Sequence, residues 1–380
     1  VRRRTLVALA LLLAPASGEA HKPTTTKFTF YRDVYPIFRA KCGACHQKGG
    51  VAPMSLLDYR EAYPWAVAIK NEVLELSMPP WFADERHGKF RSRSLLAAGE
   101  MNTIVDWCLG GTPEGNANDA SMAAVLPDEA AFQEPDLVLD LPAPFVLAAD
   151  RAEASHEVRL RPRPSRDRSL SAIEFRPGNP RIVRSVLIYG VPDGAEAEPA
   201  GLIASWIPGE HRLEYPAGRA VPLPARSSLL VRIHYKKTWL DEGKEVSDRS
   251  AVALFFARGK AVEPIRSFAV ETSGVGSLAA RDGGFEKTVS RTLPGAVEIL
   301  SLLPRVEAPL HSFFAVAVLP DGARRSLIRL REPDPAWPRA FWLEEPLSLP
   351  KGARIELTLS GEGAALDGHH YLHMSVVAKR

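Results

Sequence analysis

Five consecutive residues, Cys42-Gly43-Ala44-Cys45-His46, constrain this chain more than anything else in its 380 residues. C-x-x-C-H is the attachment signature of c-type haem. The chemistry dictates the spacing. Two thiols must reach the two vinyl groups of one macrocycle while the adjacent imidazole lies beneath the iron. Two intervening residues at the start of a helix meet both demands. A redox or zinc-binding C-x-x-C uses the thiols but leaves His46 unexplained. The segment around the motif is therefore expected to fold around one covalent haem. With only three cysteines in the chain, no disulfide framework is available to replace a hydrophobic core. Cys108, the odd one, reads as a buried free thiol.

A haem held by one histidine takes Met or His as its sixth ligand. Met78 is the first candidate, in Met78-Pro79-Pro80-Trp81, where the prolines favour an extended loop that presents the thioether. Met54, His87 and Met101 compete. Met54 reads as packing on the haem edge, Met101 as core on a helix face, and His87 as exposed in a polar stretch. Trp81, Trp107, Phe38 and Ile37 are the expected lining. His/Met ligation raises the reduction potential relative to bis-His ligation, which suits an electron carrier.

Haem attachment belongs to the oxidising, exported side of a membrane, and the N-terminus agrees. Arg2, Arg3 and Arg4 precede an unbroken apolar run from Leu6 to Leu13, and small residues follow. This layout reads as a cleaved signal peptide over residues 1–20, and no cysteine after it suggests a lipid anchor. A periplasmic or secreted location follows. The first twenty residues carry three Arg and one Glu of a net charge of +3, leaving +1 for the rest. That balance gives no electrostatic case for nucleic-acid binding. No apolar run approaches the ~20 residues of a membrane helix, so no span is expected after signal cleavage.

The grammar changes along the chain. Residues 28–116 read as helical. Apolar residues recur at helical spacing over Tyr31–Ala40, over Ala66–Leu76 (Ala66, Ile69, Val73, Leu76) and over Ala97–Leu109 (Met101, Ile104, Val105, Leu109). Gly110-Gly111-Thr112-Pro113 stops the last helix. Residues 117–134, rich in Asn, Asp, Ala and Glu, read as a linker. Beyond them come short strand-like runs at Val138–Leu141, Val183–Tyr189, Leu229–Tyr235, Ala251–Phe256, Phe313–Leu319 and Arg354–Leu359, separated by Pro and Gly turns. The 32 prolines exceed the usual ~5% and favour such short elements. The β region is too long for one sandwich. The expectation is a multidomain chain: a small all-α domain, then all-β tandem sandwiches over 135–262 and 263–380. No strong internal repeat is visible in sequence.

Two family resemblances add to this reading. Residues 28–116 resemble the small c-type cytochrome domain of the class with a Met-Pro-Pro distal loop. The matching residues are Tyr31 to Ile37, Cys42 to His46, Val51 to Met54, Met78 to Trp81, and Trp107 with Gly110 and Gly111. Residues 135–380 are similar to the copper type II, ascorbate-dependent monooxygenases related to peptidylglycine hydroxylase. The matches are Pro135 to Val138, Arg176 to Asn179, Trp206 to Gly209, Ile233 to Tyr235, Asp248-Arg249 and Leu349 to Gly352. The resemblance implies two eight-stranded jelly rolls facing each other across a cleft, and that cleft implies a small-molecule or peptide ligand.

The same resemblance implies one copper ion per jelly roll. His234 matches the third histidine of the first site, but Arg184-Ser185 stands where a His-His pair belongs. Near Pro304-Arg305-Val306-Glu307 the second site's His-x-His pair is missing, and its Met maps near Met374 or His373. Copper of this kind needs several imidazole donors, and Arg184 puts a permanent cation in their place. The functional expectation is single-electron transfer with a periplasmic redox partner protein, on a β body that has lost most copper ligands. Two alternatives stay open. One is a haem-fed copper monooxygenase with a site rebuilt from His234, His311 or the cluster His369, His370 and His373. The other is a non-catalytic binding module. His311 by itself reads as structural. Other enzyme signatures, such as a phosphate loop or a Gly-x-Ser-x-Gly elbow, are not found.

Overall fold

The computed structural model describes residues 26–91, 95–122, 134–164, 166–192, 196, 201–258, 262–273, 276–281, 284–365 and 367–379. The signal-peptide reading and most of the linker reading lie outside the described residues. The chain is mostly β-sheet with few helices. No described helix is long and apolar enough to cross a membrane.

Among the described residues the α-helices fall between residues 35 and 109 and are short. A π-helical turn, Phe30–Val34, runs into α1 (Tyr35–Lys41); α2 (Tyr59–Ala62), α3 (Ala66–Leu74) and α4 (Ala98–Leu109) follow. Asp58 caps α2 by accepting the Arg60 and Glu61 N–H groups, as an N-cap carboxylate should. The Glu100 carboxylate accepts the Ala97 N–H at 2.7 Å and closes the start of α4. Gly110 ends α4, and Gly111 turns the chain at φ +88°.

Phe30, Val34, Phe38, Leu56, Ile69, Val73, Ile104 and Trp107 form the core of this part. Its two ends are tied where Phe30 N–H donates to Pro113 O and the Trp107 indole donates to the same carbonyl. The buried face of α4 centres on Ile104 and Trp107, with Met101 and Val105 of the stripe read from sequence packed beside them; Leu109, at the helix end, is exposed. Leu76 is likewise exposed. Its φ of +59° lies beyond the end of α3, so it leaves the helical face.

The β region divides into two units whose principal strands have the same order. In the first, β1 (Leu137–Asp140), β2 (Glu153–Leu160), β3 (Arg168–Arg176), β4 (Val183–Pro192), β5 (Leu202–Trp206), β6 (Arg219–Leu223), β7 (Ser227–Lys236) and β8 (Ala251–Phe256) form sheets β1-β8-β3-β6 and β2-β7-β4-β5. In the second, the strands are β9 (Arg266–Glu271), β10 (Gly284–Thr292), β11 (Val297–Arg305), β12 (Ser312–Val318), β13 (Arg324–Arg331), β14 (Phe341–Leu349), β15 (Arg354–Glu362) and β16 (Tyr371–Ala378). They form sheets β9-β16-β11-β14 and β10-β15-β12-β13. Short strands extend the edges, for example Gly276–Arg281 beside β10. The duplication that sequence hides is thus explicit in the strand order.

Each unit buries an apolar interior between its sheets. The units also join each other. Leu300 and Val377 of the second belong to the core of the first, and the Tyr189 and Tyr371 hydroxyls meet at 3.1 Å. Part of the surface between the units is therefore filled rather than open.

The helical part is docked as well. Trp81, Ala83 and Phe90 belong to the core of the second unit. Backbone bonds from Asp84 N–H to Arg329 O and from Arg91 N–H to Trp342 O stitch this segment to the sheet. Trp81 is therefore a docking residue, not the haem-lining residue expected from sequence.

Candidate functional site

The C-x-x-C-H segment begins where α1 ends, not at the start of a helix. Cys42 and Gly43 N–H both donate to Phe38 O, and Cys45 and His46 N–H both donate to Cys42 O, so the motif makes one further turn. The loop after it folds back, with Ala52 N–H on Cys45 O and Leu56 N–H on His46 O. Gly50 makes that return feasible, since a Cβ there would stand 2.5 Å from Cys45 O.

Cys42, Cys45, His46 and Met78 line a single cavity of about 190 Å³ that is partly open to solvent. Its walls include Phe38, Val51, Leu56, Ile69, Val73 and Leu96. Of the four lining residues expected from sequence, only Phe38 is among them. Trp107 and Ile37 pack in the helical core instead.

The competing ligands separate. Met54 lines the cavity beside His46, on which its backbone acts. His87 is remote from the cavity: it sits on the second β unit with Nδ1 2.8 Å from Ser326 Oγ and its ring against Phe314. Met101 packs against the helical core. Met78 is held from both sides. Ser77 and Met78 N–H donate to Glu72 O at the end of α3, and Trp81 is buried in the second β unit.

The electrostatics of the cavity are those of an apolar site. Burial, with a smaller push from Cys45, raises the Cys42 thiol to about 12. Burial also raises Cys45, against the pull of Arg184 and Arg339. The His46 imidazole is lowered by burial, with the Met54 backbone opposing. Its Nδ1 is buried and makes no hydrogen bond of ordinary geometry. None of the three cysteines is in a disulfide, and burial pushes the half-buried Cys108 up to about 12. Two thiols, an imidazole and a thioether converging on an apolar cavity fit a covalent haem. Among the described residues no group of three or more His, Cys, Asp or Glu side chains could hold a bare metal ion.

The β region closes one side of this cavity, which sequence reasoning missed. Arg184 of β4 and Trp337 of the loop before β14 both line it. Cys45 Sγ lies 3.6 Å from Pro208 O. A Cβ on Gly209, whose φ is +92°, would stand 2.6 Å from Ala44 Cβ, so the Pro208-Gly209 turn packs directly on the C-x-x-C-H segment.

The residues at the copper positions are engaged elsewhere. Ser185 pairs with His234 across β4 and β7, the neighbourhood a shared metal would need. His234, however, meets Glu153 at 3.7 Å and is lowered mainly by burial, with Arg184, Lys236 and Arg305 adding to the effect. Met374 is fully buried in the second core. The three C-terminal histidines each have their own surroundings. His369 meets Glu271 at 3.1 Å. His370 accepts the Glu307 N–H on Nδ1 and bonds Ala365 O through Nε2, which fixes its neutral tautomer. His373 is buried near the Leu202 backbone with Nε2 unpartnered. His311 is exposed beside two clefts, and its backbone N–H donates to Ser360 O while its carbonyl accepts the Glu332 N–H.

Burial lowers His373 to about 4. The unfolded chain, with an ordinary imidazole, takes up its proton first as pH falls. Stability from this site is complete above pH ~6.5 and declines toward pH 4. In His373→Gln the urea midpoint is expected to fall less steeply between pH 7 and 5 than in the wild type; equal slopes would contradict the assignment.

No family model matches the chain, and no curated protein matches it in sequence. Solved structures give distant likenesses. The major capsid protein P2 of bacteriophage PM2 is 12% identical over 64% of this chain and 97% of its own, with a TM-score of 0.26. A Paenibacillus xanthan lyase is 11% identical over 72% of this chain and 28% of its own, TM-score 0.18. An allantoicase is 12% identical over 65% and 80%, TM-score 0.20. Likenesses this weak carry no argument about function.

Proposed function

We propose that the protein is an exported c-type cytochrome, periplasmic or secreted, that moves single electrons through one covalent haem. Its β body is similar to a copper monooxygenase and has lost most of the copper ligands. The observation that carries this reading is the convergence of Cys42, Cys45, His46 and Met78 on one apolar cavity. Cys42 and Cys45 would hold the macrocycle as thioethers, with His46 and Met78 as the iron ligands. A haem so bound supplies reversible one-electron chemistry.

The chain's own contribution is enclosure and positioning. Phe38, Leu56, Ile69 and Val73 give the cavity apolar walls. The Pro208-Gly209 turn covers the motif at Cys45. Glu72 O and the buried Trp81 hold the Met78 loop. The short helices of residues 30–122 support the cytochrome-domain resemblance. The strand order shared by the two β units, an eight-strand pattern alternating between two sheets, supports the tandem jelly-roll reading. Electron exchange with a periplasmic redox protein is the corresponding partnership.

Metal analysis of the purified protein, after copper loading and dialysis, tests the division of labour. One iron per chain with no retained copper is the expected result. A full equivalent of copper beside the iron would revive the monooxygenase alternative.

A further inference from the structure

We infer that Arg184, the residue standing where the resemblance puts a copper-binding histidine, is a positioning residue for the haem, pairing with a carboxylate of the cofactor. The inference rests on the cytochrome reading above. The cavity holding the C-x-x-C-H motif is apolar apart from a few groups, and Arg184 reaches it from β4 of the other part of the chain. Its guanidinium lies over the Trp337 ring at 5.4 Å, and Trp337 lines the same cavity. Its Nε is buried with no hydrogen-bond partner. Nearby Arg339, by contrast, has a carboxylate, Glu210 at 3.3 Å.

A half-buried guanidinium with its Nε sealed from water is costly unless an acceptor meets that N–H. Asp334 acts on Arg184 only through its charge, and no hydrogen bond joins the two. An anion entering the cavity completes the site. Haem carries two propionate carboxylates, and a guanidinium offers a planar fork matched to a carboxylate. Trp337 holds the fork's plane. The substitution that disables the copper position thereby serves the neighbouring cavity, and it joins the β body to the cofactor.

Reduction adds negative charge at the haem, so a nearby cation favours the reduced state. The test is potentiometry on the holoprotein, with haem content and the visible spectrum recorded first. Arg184→Gln is expected to shift the redox equilibrium constant about tenfold toward the oxidised form, a fall of about 59 mV for one electron, with haem content and spectrum retained. Arg184→Lys is expected to keep most of the potential but to change the propionate-bending bands in the resonance Raman spectrum, because the planar fork is lost. If the glutamine variant does not accumulate, the Raman comparison of Arg184→Lys with wild type decides. Unchanged potential and unchanged Raman bands would overturn the inference while leaving the cytochrome reading intact. So would a wild-type potential that shifts when acetate or benzoate is added, since the carboxylate would then come from solution. Haem missing from the wild type would instead sink the cytochrome reading itself.

Discussion

Met78→Ala is expected to keep the covalent haem and lose the spectrum of methionine-ligated iron. In the proposed assignment attachment rests on Cys42 and Cys45, which the substitution leaves alone. In the same assignment the far side is ligated by the Met78 thioether, from a loop pinned to Glu72 O. With the sixth position open, added imidazole or carbon monoxide should bind where it does not bind the wild type. The reduction potential should fall, because methionine ligation is what raises it. Met54→Ala is the necessary comparison. Met54 lines the same cavity, but beside His46, so its removal should leave the methionine-to-iron spectrum in place. The reverse pattern, with Met54→Ala losing the band and Met78→Ala keeping it, would exchange the two roles.

Trp81→Ala should have the largest effect on stability, about 3–5 kcal/mol, as for truncation of a large buried aromatic. Trp81 is 6% exposed. Its ring packs edge-on against Phe90 and Phe341, and Arg339 lies over it at 5.5 Å. It is also close in sequence to Met78, so the same change frees one end of the ligand loop. Chemical denaturation should show a lower midpoint, and the folded variant should bind imidazole at lower concentration than the wild type. Loss of stability without easier imidazole binding would mean that docking and ligation are independent.

Much of this was legible in the sequence, and the failures have physical causes. The strands read as Val183–Tyr189, Leu229–Tyr235 and Ala251–Phe256 were legible because both faces are largely buried and the runs are rich in apolar and β-branched residues. Glu153–Leu160 and Arg324–Arg331 were missed because their exposed positions carry charge, which halves the apolar signal. Phe341–Leu349 was missed because Glu344-Glu345-Pro346 interrupts it. Cys42, Cys45, His46 and Met78, which line one cavity, were singled out by local chemistry. Arg184 and Trp337 were not, since neither belongs to a haem motif and only the docking of the β region brings them to the cavity. Trp81 was assigned to the haem because of its place beside Met78-Pro79-Pro80, whereas its side chain turns into the neighbouring β core.

The most direct test of the central claim is the intact mass of the protein, produced in exported form in a host that attaches haem and measured after denaturation. The account predicts a single covalent adduct with the mass of one haem, located on the peptide containing Cys42 and Cys45. Unmodified mass with both thiols free to react with an alkylating reagent would contradict it.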